Sequence, residues 1–276
     1  MHRLLRELDR LDARGGPTRV KPRRELGQTL FVALVTTALV SAMGLVILHK
    51  QWGITLGLDG FTRTNALGRP PEVATGIGAF AFSDHQPGDP SSPVAYDPCD
   101  QIHVVVNERL TPAGADGLVE EALTELSGRT GLQLVVDGPT DDLPGEERPS
   151  RKLTPQGWRW SPVLVAWSTP EDDPGLAGSV AGLGGSTSVL DEFTGQRRYV
   201  TGTVSLDTPA LEGMLARQEG RAHVRAVILH ELAHVVGLAH VDDPRELMFQ
   251  DNVGLTEFGP GDLEGLAALG SGRCFT

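Results

Sequence analysis

The chain has 276 residues, 39% of them hydrophobic, and carries a formal net charge of −12, enough for one sizeable domain with additional segments. The charge is uneven: residues 1–27 hold eight Lys/Arg and four Asp/Glu, a net of +4, whereas residues 51–276 hold fifteen and thirty-two, a net of −17. So acidic a body argues against nucleic acid as a partner, because phosphates need a basic surface to neutralise them.

In chain order, residues 1–28 read as a basic, solvated tail expected on the cytoplasmic side. Thr29 to Leu48 is twenty residues without a charge, long enough as a helix to span about 30 Å, and this predicts a transmembrane helix in contact with a lipid bilayer. No small-residue cleavage site follows it, which argues against a removed signal peptide. The excess of Lys/Arg before the span places the N-terminus in the cytoplasm and the acidic body outside, as a single-pass protein of the cell membrane. Residues 49–93 are rich in Pro and Gly and read as a stalk or linker.

The folded domain is expected over residues 94–276. Ile102–Asn107, Leu132–Asp137 and Val163–Trp167 are strand candidates, and Gly114–Gly128 has apolar residues at helical spacing. Residues 139–161 read as a charged, Pro-rich loop and 170–186 as a Gly-rich one. Thr187–Leu190 and Arg198–Asp207 are further strands. Asp207 or Thr208 caps a helix with Pro209 in its first turn, and a buried helix runs from Ala222 to Val236. Strand–helix–strand order followed by more strands and helices predicts an α+β fold, with a mixed, mostly parallel sheet packed against helices.

The chemistry concentrates in His230-Glu231-Leu232-Ala233-His234-Val235-Val236-Gly237-Leu238-Ala239-His240. His230 and His234 lie one helical turn apart on one face, so one tetrahedral ion can take both nitrogens. Glu231 points about 100° round the helix, where it serves as general base toward a metal-activated water. Gly237 suits a helix end, and the turn beyond it returns His240 to the metal. Three imidazoles leave one position open, which marks a catalytic zinc rather than a structural one. By chance His-Glu-x-x-His arises in about one chain in a hundred of this length, and adding Gly237 and His240 lowers that to roughly one in ten thousand.

His-Glu-x-x-His-x-x-Gly-x-x-His followed at eight residues by Met248, in Asp243-Pro244-Arg245-Glu246-Leu247-Met248-Phe249, resembles the metzincin metallopeptidases and among them the matrixins. That resemblance implies a zincin-like fold, peptide or protein substrates, Glu231 as the catalytic base, and Met248 as a hydrophobic floor under the zinc. Val241 stands where matrixins usually have Ser or Thr, and Phe249-Gln250 where they usually have Tyr-Pro. Pocket specificity is therefore not carried over. Matrixins also hold structural calcium, but no acidic loop here has calcium-ligand spacing, and these loops read as solvated faces.

Cys99 and Cys274 flank the domain, and in an oxidising compartment they form a disulfide; the matrixin-like rival is Cys99 as a zinc ligand in a latent form. The sequence thus predicts a membrane-anchored zinc endopeptidase. Its alternative is a catalytically silent zinc-containing module that binds peptides.

Overall fold

The computed structural model describes residues 65–275, apart from 146–147, 156, 193 and 252–253. Five strands form the main sheet: β4 (Gln101–Asn107), β5 (Gln133–Pro139), β8 (Val163–Ser168), β9 (Gly182–Leu190) and β10 (Arg197–Asp207). Their order is β5-β4-β8-β10-β9, with every pairing parallel except β10 against β9. The domain is therefore α+β with a mixed sheet, and its antiparallel strand β9 lies at one edge. β8 is buried along its whole length, as the run Val163-Leu164-Val165-Ala166-Trp167 requires of a central strand.

Four α-helices accompany the sheet among the described residues: α1 (Leu118–Thr130), α2 (Thr208–Leu215), α3 (Gly220–Val236) and α4 (Pro260–Gly270). α1 starts later than its apolar spacing predicts because Gly117 adopts a left-handed conformation. Asp207 caps α2, its carboxylate accepting the Ala210 N–H at 3.4 Å. Leu118, Leu126, Val224, Ile228, Leu232, Val236, Leu266 and Leu269 pack with Val104, Val165 and Leu206 of the sheet in one core. Burying side chains of this size stabilises a fold by about 1.5–3 kcal/mol each, against the entropy of ordering them.

The expected transmembrane helix requires correction. Among the described residues no helix is long and apolar enough to cross a membrane; α3, with 17 residues, is the longest and carries Arg221, Arg225, His230, Glu231 and His234. Residues 29–48 lie outside the described residues. The membrane-spanning helix, the bilayer contact, the single-pass topology and the cell-membrane location expected from sequence are thus not supported, and the fold class of the described residues is α+β.

Residues 65–93 do more than their linker-like composition indicates. β1 (Ala81–Phe82) pairs antiparallel with β11 (Leu238–Ala239), and β2 (His85–Gln86) pairs with β3 (Asp89–Pro93). Inside the expected loop 139–161, β6 (Arg151–Thr154) and β7 (Gly157–Trp160) form a separate hairpin. The disulfide is present: Cys99 and Cys274 are bonded with Cα atoms 5.3 Å apart, closing a span of 175 residues. Chain entropy gives such a closure at most about 5 kcal/mol.

Candidate metal centre

α3 brings His230 and His234 to one face, and its end is set by Gly237, whose φ of 122° is one that side-chain-bearing residues rarely adopt. The following turn is clamped by the N-terminal segment. The Ser83 N–H donates to the Gly237 carbonyl at 2.9 Å, and Ser83 Oγ donates to the Leu238 carbonyl at 2.7 Å. With β11 held against β1, His240 is delivered back to the helix.

The three Nε2 atoms converge into a near-equilateral triangle: His230 to His240 3.0 Å, His234 to His240 3.1 Å, and His230 to His234 3.2 Å. Two contacts fix the tautomers. His230 Nδ1 lies 2.8 Å from the Leu247 carbonyl and His234 Nδ1 lies 2.8 Å from the Leu238 carbonyl. A carbonyl only accepts, so both Nδ1 atoms carry the proton and both Nε2 atoms present lone pairs.

Those two lone pairs face each other with no proton between them, which is unfavourable unless a cation lies among them. Desolvation pulls His230 and His240 below their ordinary pKa and His234 down to about 4, which favours the neutral rings. Zinc–nitrogen bonds of 2.0–2.1 Å in tetrahedral geometry separate the nitrogens by roughly 3.3 Å, close to the edges seen. The donor set therefore fits zinc. His240 is exposed, so the triangle opens toward solvent on that side.

Glu231 is 7% exposed. Burial raises its carboxyl to about 8, and the Gly184 N–H that it accepts pulls in the opposite direction; a divalent cation nearby also lowers it. Gly184 lies on β9, inside the stretch that composition marks as loop. The strand passes so close to α3 that a Cβ on Gly184 would stand 2.1 Å from the Glu231 carbonyl oxygen. Gly184 to Ser188, Tyr199, Ser83 and His234 line one cleft of about 530 Å³. The edge strand and His234 thus line one cleft, and Gly184 joins Glu231 to the same strand.

Met248 is 1% exposed and belongs to the core. Its carbonyl accepts the Val241 N–H at 3.1 Å, which ties the methionine turn to the residue after His240. Two buried carboxylates that sequence reading passes over fasten this turn to α4. Asp262 accepts the N–H groups of Leu247 at 2.5 Å, Gly259 at 3.0 Å and Met248 at 3.4 Å. Glu246 accepts those of Gly261 at 2.9 Å and Asp262 at 3.0 Å. Leu247 is in turn the acceptor that orients His230, so this pair supports a candidate metal ligand. The available signal was Gly-Pro-Gly-Asp at 259–262, an acidic residue in the first turn of a helix.

The other candidates that the sequence singles out lie elsewhere. Cys99 sits in the disulfide and is not a latent zinc ligand. His103 pairs with Asp137 at 2.8 Å, and His223 Nδ1 contacts the Glu219 carbonyl. Among the described residues, the second close group of metal-ligand types is Asp97, Cys99 and Cys274, and its thiols are consumed by the disulfide. No protein-family model matches the chain, and no curated protein matches it in sequence. The likeness to metzincins therefore rests on the sequence of residues 230–249.

Proposed function

We propose that this domain is a zinc-dependent endopeptidase of metzincin type, acting on peptide or protein substrates. The observation that carries the reading is the triangle of Nε2 atoms, two of them deprotonated by their own second contacts. His230, His234 and His240 would hold the ion. Bound zinc supplies Lewis acidity, which makes water nucleophilic near neutral pH and stabilises negative charge on a carbonyl oxygen.

The remaining work falls to the chain. Glu231 takes the proton of the attacking water and returns it to the leaving nitrogen, and its burial strengthens both transfers by excluding competing solvent. The Gly184 N–H holds that carboxylate against the edge strand and fixes its approach. Among the described residues β9 is unpaired along its outer side, which suits an extended polypeptide laid beside it. The Leu247 and Leu238 carbonyls keep two ligand rings in the orientation that presents Nε2.

Glu231→Gln is the direct test. Its turnover of a peptide library should fall by at least about a hundredfold, the scale of general-base catalysis, while bound zinc measured by atomic absorption stays at one per chain. Unchanged cleavage by that variant would remove Glu231 from the mechanism. Absence of cleavage by both proteins, with zinc retained, would instead indicate a silent peptide-binding module.

A further inference from the structure

Ser83 lies where the N-terminal segment meets the end of α3, and the chain holds it from both sides. Before it, Ala81 and Phe82 pair with Ala239 and Leu238. After it, Asp84 Oδ2 lies 2.8 Å from Arg197 Nη1. Gln86 also exchanges two hydrogen bonds with the Arg197 backbone, each 2.8 Å long. The Ser83 N–H is committed to the Gly237 carbonyl. Backbone pairing and neighbouring side chains thus place the residue, and its hydroxyl is not needed to hold the segment.

That hydroxyl meets the carbonyl of Leu238, the same oxygen that faces His234. Ser83 Oγ donates to it at 2.7 Å, and His234 Nδ1 lies 2.8 Å from it. A backbone carbonyl has two lone pairs, so both side chains can donate to this one oxygen. Leu238 follows Gly237, where α3 ends, so its carbonyl lies outside the hydrogen-bond ladder of the helix. β11 is only two residues long, which leaves its peptide planes few other restraints. The Ser83 donor therefore helps set the direction in which the oxygen is presented to the imidazole. A ring held through its N–H turns with its acceptor, and His234 Nε2 turns with the ring. Ser83 is exposed and lines the same cleft as His234, so this link lies at the mouth of the site.

We propose that Ser83 is a positioning residue for His234, acting through the Leu238 carbonyl that the two side chains share. The proposal rests on the metal centre described above, and it makes a stretch of linker-like composition part of that centre. Tyr96, further along the same segment, supplies the contrast. Ser186 Oγ donates to the Val235 carbonyl at 2.8 Å, so its hydrogen is used, and the Tyr96 hydroxyl donates to Ser186 Oγ at 2.8 Å. That chain of bonds ends on the Val235 carbonyl rather than on the Leu238 or Leu247 carbonyl that faces a ligand ring.

The test compares the full chain with its Ser83→Ala, Ser83→Thr and Tyr96→Phe variants. Zinc affinity is measured by chelator competition, and ligand geometry by the visible spectrum of the cobalt(II)-loaded protein. Ser83→Ala should weaken zinc binding roughly tenfold, the lower end of the range for losing an outer partner of a metal ligand. Its cobalt spectrum at saturation should shift, because the orientation of a ligand ring has changed while the number of ligands has not. Ser83→Thr keeps the hydroxyl and should keep both wild-type readings. Tyr96→Phe removes a bond of similar length and should leave both readings unchanged. A purely structural role for Ser83 would lower the melting temperature and move neither reading. The proposal is overturned if Ser83→Ala leaves either reading at its wild-type value, if Ser83→Thr loses as much, or if Tyr96→Phe weakens zinc equally. A wild-type chain that takes up neither zinc nor cobalt overturns the metal centre itself. That outcome is distinct from a wild type that binds both metals while Ser83→Ala binds them equally well.

Discussion

α3 and β9 meet at Glu231, yet they enter the site by opposite routes. α3 contributes side chains: His230, His234 and Glu231 stand at spacings that a helix converts directly into geometry. β9 contributes backbone and the absence of side chains. Gly184 donates its N–H to Glu231 and is glycine because α3 leaves no room for a Cβ. A site built from side chains announces itself in sequence. One built from backbone reads as a flexible loop until its neighbour is in place.

The sharpest way to break this contrast is to remove a ligand. His234→Ala should lower zinc affinity by several orders of magnitude, since it leaves two nitrogens and frees the Leu238 carbonyl of its ring partner. Competition with a chromogenic chelator measures it. Retention of zinc with near-native affinity would mean that the triangle is not the binding site.

On the strand side, Gly184→Val should destabilise the fold by about 3 kcal/mol, the upper range for overpacking, because its Cβ meets backbone rather than a movable side chain. A Cβ added at Gly185, on the same strand, would meet nothing within 4 Å, so Gly185→Ala should change stability by less than about 1 kcal/mol. Equal effects of the two in urea denaturation would show that β9 does not press on α3.

The smallest effect concerns the support behind His230. Burial raises the Asp262 carboxyl from 3.8 to about 6, despite the three N–H groups that it accepts. A carboxyl whose folded pKa exceeds its unfolded value binds more protons in the folded state. Its contribution is thus greatest below about pH 4, declines between pH 4 and 6, and is level above 6. Wild type compared with Asp262→Asn, by thermal unfolding at each pH, isolates this group. The stability difference should move by about 1–3 kcal/mol across that window, in the direction of a less stable wild type at higher pH. A flat difference would show that the N–H groups fully compensate burial and that Asp262 stays ionised.

The same contrast explains how much was legible beforehand. β4, β8 and α3 are recovered from sequence because Ile102–Val106, Val163–Trp167 and Val224–Val236 carry strong apolar patterns. The candidate metal ligands follow from helical spacing and one glycine. What escaped is non-local. The Gly-rich start of β9 becomes strand only by pairing with Val204 to Leu206, and Ala81–Phe82 only by pairing with Leu238–Ala239. The β6–β7 hairpin is hidden in a charged, Pro-containing stretch, because its register rests on cross-strand contacts rather than on alternating hydrophobicity. Glu246 and Asp262 look like ordinary surface acids, and only the folded chain shows them buried against N–H groups.

The central claim is tested most directly by metal-dependent cleavage. The purified full chain is assayed on a peptide library as isolated, after exhaustive chelation, and after return of one equivalent of zinc. The predicted result is internal peptide-bond cleavage that chelation abolishes and zinc restores at a stoichiometry of one. Cleavage that persists unchanged in the zinc-free protein would contradict it.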